Sequence, residues 1–171
     1  RMVCFAVCDG VGMSYHGEIA ARLLGDALLD WLVRLENDSP DALRAALEDF
    51  LAGLTEAGTA EVDRHELPSD LPAMLKEVLL EKKKLGSGAM FAGGRIEFPG
   101  KDRPEGRMIL AWMGDMRIRL WSGCREATSM LGRELAAGMH WSTARGAVGG
   151  RPHLFAGALA ADGEAVDRIA V

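Results

Sequence analysis

The sequence predicts an α+β fold, because one early apolar strand is followed by helical patterns and then by a run of short strands. Residues 2–8 form an apolar run, residues 17–84 hold the helical patterns, and the segments from residue 89 onward are short and separated by turn residues. This spacing leaves no room for the crossover helices of a parallel sheet. A chain of 171 residues is long enough for one domain with its own core, so we expect residues 1–171 to form a single domain.

The first strand and the first helix are joined by a glycine-containing turn. The apolar run Met2–Cys8 predicts a buried strand, and it ends on the sequence Asp9-Gly10-Val11-Gly12. A helix is predicted from Gly17 to about Leu35, because apolar residues recur there at helical spacing. Its apolar face consists of Ile19, Ala20, Leu23, Leu24, Ala27, Leu28, Trp31 and Leu32.

Two further helices are predicted before the strands begin. The break 36–40 ends in Ser39 and Pro40, a suitable N-cap and first helical residue, and the second helix runs to about Ala57. Residues 58–68 are polar and predict a loop, and the third helix covers about residues 71–84. The inward residues expected for the third helix are Met74, Leu75, Val78 and Leu79.

The second half of the chain predicts an antiparallel meander. Its first three strands are expected at Ala89–Phe98, Arg107–Met113 and Arg117–Trp121, with a turn cluster at residues 99–106. Residues 146–150 predict a flexible loop. Further strands are expected at Leu154–Ala160 and Arg168–Val171.

Composition narrows the class of function. The net charge of −5 disfavours nucleic-acid binding, which needs a basic surface, and no run of residues is long enough to cross a membrane. Three cysteines make no disulfide framework, and Cys4 and Cys8 share one face of the first strand, where they are expected to point into the core. These features predict a cytoplasmic protein without a membrane or nucleic-acid partner.

Two aspartates are predicted to end apolar strands. Asp9 follows the first strand, and Asp115 follows the run that ends in Trp112-Met113-Gly114. Carboxylates at the edge of a sheet suit a hard ion such as Mg²⁺ or Mn²⁺. The alternatives are that Asp9 caps the following helix and that Asp115 belongs to a turn.

These motifs resemble those of the PP2C-type (PPM) metal-dependent serine/threonine protein phosphatases. The family has an apolar strand followed by Asp-Gly-x-Gly-Gly and a helix that opens near Gly-Glu, and here the corresponding residues are 5–12 and 17–21. Residues 86–89 are similar to the family's Gly-Ser-Thr-Ala stretch, and residues 112–121 resemble its Gly-Asp-Ser-Arg strand pair. The resemblance implies a sandwich of antiparallel β-sheets flanked by α-helices.

The resemblance also implies a mechanism for a bacterial signalling hydrolase. Asp9 would bridge two ions of Mn²⁺ or Mg²⁺ and would be the catalytic residue, Gly10 would lend its carbonyl, and Asp115 would lie near a third ion. Water bridging the ions would attack phosphoserine or phosphothreonine in a protein substrate. The expected partners are a phosphorylated protein and a cognate serine/threonine kinase system.

The chain departs from the family pattern at three positions. Met13 stands where the family has the second consecutive glycine of Asp-Gly-x-Gly-Gly. Gly88 stands in place of the threonine of Gly-Ser-Thr-Ala, and Met116 in place of the serine of Gly-Asp-Ser-Arg. The family's acidic residue and arginine upstream of the first strand, and its later aspartates, have no counterpart here, which predicts a domain incomplete at both ends. The alternative function is therefore a catalytically impaired pseudophosphatase that acts as a regulatory or protein-binding domain. A third possibility is an unrelated α+β domain with structural Asp-Gly turns.

A few other residues are candidates for a functional site. Ser87 is not in a nucleophile elbow and is expected to bond local backbone. His16 could contact a substrate phosphate, or it is an ordinary exposed loop residue. Gly149 and Gly150 could cradle a phosphate with Arg145 and Arg151, although a plain loop is favoured. The histidines expected to be ordinary are His65, His140 and His153.

Overall fold

The computed structural model describes residues 1–36, 39–132, 138–161 and 164–171. The helices are Gly17–Arg34 (α1), Pro40–Arg64 (α2) and Ala73–Leu85 (α3), with a 3₁₀ turn at Thr128–Leu131. The strands are Met2–Gly10 (β1), Gly88–Glu97 (β2), Arg107–Met113 (β3), Arg119–Ser122 (β4), Arg125–Glu126 (β5), His140–Ser142 (β6), Gly146–Val148 (β7), His153–Gly157 (β8), Ala160–Ala161 (β9), Glu164–Ala165 (β10) and Arg168–Ala170 (β11). No helix in the described ranges is both long enough and apolar enough to cross a membrane.

The larger sheet has six antiparallel strands with β2 at its centre. β1 pairs with β2 from Met2 opposite Glu97 to Gly10 opposite Ala89. The other edge of β2 pairs first with β6, at Gly88 and Ala89, and then with β3 from Phe91 onward. β7 extends the sheet beyond β6, and β8 extends it beyond β3.

Helices α1 and α2 cover one face of this sheet. Because side chains alternate along a strand, Cys4, Ala6 and Cys8 of β1 all point toward the helices, as predicted for the two cysteines. α1 lies close to β2 at Gly93, where a Cβ atom would come within 2.8 Å of Cδ2 of Leu28. The largest fully buried side chains of this core are Leu24, Leu28, Leu32, Leu47, Leu51, Phe91 and Trp141.

A small sheet of β11, β4 and β5 packs on the opposite face. Phe5 of β1 turns to this side, and so do Leu110 and Trp112 of β3, where they meet Leu120 of β4. The molecule is therefore layered as helices, the six-stranded sheet and the small sheet. This arrangement confirms the predicted α+β class.

The second helix is longer than predicted. Residues 58–64 were expected in a loop, but they continue α2 to Arg64, and Gly58 is buried inside it. A Cβ atom on Gly58 would lie 2.9 Å from Cβ of Thr143, and Thr59 Oγ1 donates a hydrogen bond to the Thr143 carbonyl at 3.1 Å. The glycine thus allows close packing against the residue that follows β6 and does not end the helix.

The third helix is less buried than predicted. Met74, Leu75 and Val78 were expected to point inward but are exposed, with Met74 79% accessible. Leu79 alone among the four predicted inward residues packs on a buried cluster, that of Tyr15, Ile19 and Val62. The apolar spacing of this segment therefore identified a helix but not its orientation.

The strand predictions need three corrections. β4 leaves the predicted meander and joins the small sheet, and the predicted strand 154–160 is divided between β8 and β9. Residues 146–148 of the predicted flexible loop form β7, since they pair with β6. Residues 37 and 38 of the predicted break lie outside the described residues.

Candidate active site

The six-stranded sheet brings Asp9 and Asp115 to the same end. Asp9 pairs across the sheet with Met90 of β2, and Asp115 lies two residues beyond the end of β3. Gly114 packs on the same β2 residue, because a Cβ atom there would lie 2.5 Å from Cγ of Met90. Since β1 and β3 flank β2, their backbones are two interstrand spacings apart, about 10 Å.

Glycines hold the turn after β1 close to the start of α1. A Cβ atom on Gly10 would lie 2.6 Å from the carbonyl carbon of Gly17, and one on Gly17 would lie 2.8 Å from the carbonyl carbon of Gly10. Neither neighbour is a side chain that could rotate away. The Asp9-Gly10 pair is thereby fixed against the first turn of α1.

Serine side chains fasten the same turn to β2. Ser14 Oγ donates to the Val11 carbonyl at 2.7 Å and accepts from the Gly88 N–H at 3.0 Å, while the Val11 N–H donates to the Gly88 carbonyl at 2.8 Å. Ser87 Oγ donates to the His16 carbonyl at 2.7 Å and accepts from the Ala20 N–H at 3.0 Å. Ser87 was expected to bond local backbone, but its partners lie on the distant first turn of α1.

The Asp9 and Asp115 carboxylates are exposed. Neither makes a hydrogen bond or an ion pair with any residue in the described ranges. Asp9 lies within β1, whereas α1 begins at Gly17 with His16 as its N-cap, so Asp9 does not cap this helix. Both carboxylates are free to accept a hard cation.

The oxygen atoms of Asp9, Gly10 and Asp115 are ligands of the kind that Mg²⁺ or Mn²⁺ prefers, and they are few. Among the described residues, no three His, Cys, Asp or Glu side chains come together as a cage. Mg²⁺ commonly keeps several waters and takes only one or two carboxylates from the protein. Asp9, with the neighbouring Gly10 backbone, and Asp115 could supply such oxygen ligands.

A histidine cluster that the sequence did not predict lies behind the turn. Tyr15 is fully buried, and its hydroxyl lies 2.9 Å from His65 Nδ1 at the end of α2. The centroids of the His16 and His65 rings lie 4.4 Å apart, and His16 Nδ1 lies 3.0 Å from Glu18 Oε1. A hydrogen bond from the Glu18 backbone N–H and then the His16 side chain lower the pKa of Glu18.

The glycine-rich segment at 149–150 is less available to an anion than its sequence indicated. Arg151 Nε lies 3.4 Å from Glu48 Oε1, so one of the two candidate arginines already has a carboxylate partner. Arg145 and Arg151 line one pocket beside α2, together with Glu48 and Gly150, and Arg145 also lines a second pocket with residues of the turn after β1. The pocket that the two arginines share thus contains a carboxylate, which favours the plain loop that the sequence predicts over a phosphate cradle.

The fold is similar to those of solved bacterial phosphatases. A bacterial serine phosphatase aligns with a TM-score of 0.53 at 16% identity, and a variant of a bacterial serine phosphatase aligns with a TM-score of 0.55 at 14% identity. Each alignment covers 93% of this chain and 63% of the other. A Stage II Sporulation E family protein from Thermanaerovibrio acidaminovorans aligns over 73% of this chain and 46% of its own, with a TM-score of 0.43 and 20% identity.

These likenesses concern the fold. The sequence matches no protein-family profile and no curated protein. The chain spans less than two thirds of the length of the bacterial serine phosphatases to which it is similar. It has the α+β architecture of PP2C-like proteins, with antiparallel sheets and flanking helices.

Proposed function

We propose that this chain is a metal-dependent phosphatase domain that hydrolyses phosphoserine or phosphothreonine in proteins. One observation carries the proposal: two exposed aspartates without protein partners in the described ranges lie at one end of a PP2C-like sheet, on either side of β2. The likeness to bacterial serine phosphatases supports the fold on which such a site is built. The proposed metal-binding residues are Asp9, Gly10 and Asp115, and Asp9 is the proposed catalytic residue.

Mg²⁺ or Mn²⁺, when bound, activates water at neutral pH and neutralises charge on phosphoryl oxygens. Asp9 would hold the ion at the end of β1, with the Gly10 carbonyl beside it, and Asp115 would add a carboxylate from beyond β3. The protein's own contribution is rigidity, because the contact of Gly10 with Gly17 and the hydrogen bonds of Ser14 and Ser87 hold the turn in one position. No protein nucleophile is needed in this scheme.

A regulatory domain without turnover is the second candidate. It is favoured by Met13, whose side chain is 82% exposed in the turn where PP2C-type phosphatases have a glycine. An exposed methionine suits contact with another protein better than it suits contact with a phosphate. Such a domain would bind a phosphorylated protein or a kinase of the same system and would not hydrolyse it.

The test is hydrolysis of a phosphothreonine peptide with Mn²⁺, measured on the parent chain, Asp9→Asn and Asp115→Asn. We expect Asp9→Asn to lower kcat/KM by roughly 100-fold or more, because a metal ion contributes several kcal/mol to charge stabilisation in the transition state. Asp102→Asn is the matched control, since Asp102 is exposed in the turn at the other end of β2 and β3.

Each outcome separates the two candidates. Turnover that disappears with Asp9→Asn and persists with Asp102→Asn supports the phosphatase. Mn²⁺ binding that depends on Asp9 but brings no turnover supports the regulatory domain. A parent chain that neither binds Mn²⁺ nor hydrolyses the peptide contradicts the phosphatase.

A further inference from the structure

A small pocket with a cationic lining opens beside the Asp9-Gly10 turn. It has a volume of about 190 Å³ and lies between that turn, the C-terminal end of α3 and strand β6. Its lining includes two cations and a histidine but no aspartate or glutamate, in a chain whose net charge is −5. The polar side chains on its walls are those of Ser14, Lys82, Ser87, His140, Ser142 and Arg145.

The two cations of this pocket have no protein counterion in the described part of the chain. Neither the Lys82 ammonium nor the Arg145 guanidinium makes a hydrogen bond or an ion pair with a described residue. The nearby Lys84 differs, because it forms an ion pair with Glu81, and Arg151 pairs with Glu48. The positive charges of Lys82 and Arg145 in the pocket are thus not neutralised by a described carboxylate, whereas those of Lys84 and Arg151 are paired with one.

His140 turns an available ring nitrogen toward the same space. Its Nδ1 lies 3.2 Å from the Gly138 carbonyl, which can only accept, so Nδ1 carries the hydrogen and Nε2 is left for another partner. A Cβ atom built on Gly88 would lie 3.5 Å from this Nε2 and 3.0 Å from Cδ2. His140 Nε2 therefore borders the space beside Gly88.

The absent side chain at position 88 creates this room. A Cβ atom there would also lie 3.5 Å from Cβ of Ser14, so any larger residue would project between Ser14 and His140. The PP2C-type pattern has a threonine at this position. The departure at Gly88 is therefore the feature that leaves the space between Ser14 and His140 open in this chain.

We propose that the pocket binds a phosphoryl group carried by a phosphorylated protein side chain, beside the position of Asp9. The Val11 N–H bonds the Gly88 carbonyl at 2.8 Å, so the pocket begins two residues after Asp9, on the turn that carries the proposed metal ligands. A volume of about 190 Å³ is below that of pockets for drug-sized ligands and suits one small group. The Lys82 ammonium and the Arg145 guanidinium are donors for a phosphate oxyanion, and His140 Nε2 can accept a hydrogen bond from the hydroxyl of a singly ionised phosphate. The assignment to a protein side chain rests on the proposed function.

Binding can be tested without the metal, so that the result does not depend on hydrolysis. Inorganic phosphate is titrated into ¹⁵N-labelled protein in EDTA, and amide shifts are followed. We expect saturable shifts confined to the lining residues and at least a tenfold loss of affinity in Lys82→Ala with Arg145→Ala. The matched control is Lys84→Ala with Arg151→Ala, which also removes one lysine and one arginine, but from positions already paired with carboxylates. This control should leave the affinity for phosphate within twofold of the parent.

A second variant tests the shape of the pocket. Gly88→Ala should weaken phosphate binding while thermal unfolding remains a single cooperative transition, because its methyl group would occupy the pocket. A phosphoserine peptide should shift the same amides and compete with phosphate. The proposal is overturned if phosphate causes no saturable shift, if both double variants lose affinity equally, or if the peptide shifts other amides. Failure here leaves the Mn²⁺-dependent activity of the parent chain to be judged separately.

Discussion

Removal of one buried hydroxyl should loosen the joint between β2 and α1. Ser87 is fully buried, and its Oγ accepts from the Ala20 N–H at 3.0 Å and donates to the His16 carbonyl at 2.7 Å. In Ser87→Ala the buried Ala20 N–H loses its partner, which costs about 1–3 kcal/mol. The His16 carbonyl still accepts a hydrogen bond from the Ile19 N–H at 2.9 Å in this variant. The loss of the bond from Ser87 to this carbonyl therefore costs only as much as one ordinary hydrogen bond, about 1 kcal/mol.

The expected result for Ser87→Ala is a fall of about 2–4 kcal/mol in the free energy of unfolding. Urea denaturation followed by circular dichroism measures it, with Ser129→Ala as the control because Ser129 is exposed in the 3₁₀ turn. The control should stay within about 0.5 kcal/mol of the parent. A Ser87→Ala value as small as that of the control would refute the reasoning.

Three other substitutions test separate parts of the account. Gly10→Ala should cost about 1–3 kcal/mol in urea denaturation, because its Cβ would lie 2.6 Å from Gly17 backbone, whereas Gly12→Ala, with no atom within 4 Å, should be near neutral. Arg95→Met should lower the free energy of unfolding by about 1.5–3 kcal/mol, because Arg95 Nη1 donates to the Leu32, Val33 and Leu35 carbonyls at the end of α1. Arg95→Lys should lose less stability than Arg95→Met. Equal losses in the two variants would contradict the role of Arg95 at the end of α1. Burial raises the pKa of Cys8 from 9.0 to about 11, so the folded protein holds a proton that the unfolded chain releases near pH 9, and stability should fall between pH 9 and 11. Cys8→Ala should flatten that fall in a pH series of urea curves, and an unchanged slope would count against the burial argument.

The helices show what periodicity predicts and what it cannot. α1 begins at Gly17 as expected and ends at Arg34, one residue before the expected end, because eight apolar residues at helical spacing leave few alternatives. The end of α2 could not be predicted, because Gly58 is a helix-breaking signal in sequence and a packing contact with Thr143 in space. The orientation of α3 depends on tertiary contacts that its own spacing does not encode.

The candidate site divides in the same way. Local sequence predicted that Asp9 and Asp115 would each end an apolar strand, and the sheet register adds that both flank Met90 at one end of β2. Strand β6 is only three residues long, too short for an alternating pattern, so its contribution of His140 could not be predicted. The packing of His16 on His65 likewise joins residues that no motif connects.

Paramagnetic line broadening by Mn²⁺ tests the central claim most directly. Substoichiometric Mn²⁺ is added to ¹⁵N-labelled parent protein and to Asp9→Asn, and amide intensities are compared along β1, β2 and β3. We predict loss of signal around Asp9, Met90 and Gly114 in the parent alone, with amides near Glu97 retained, because they lie about 23 Å away along β2. Broadening at the Glu97 end, or the same pattern in Asp9→Asn, would contradict a metal site at this end of the sheet.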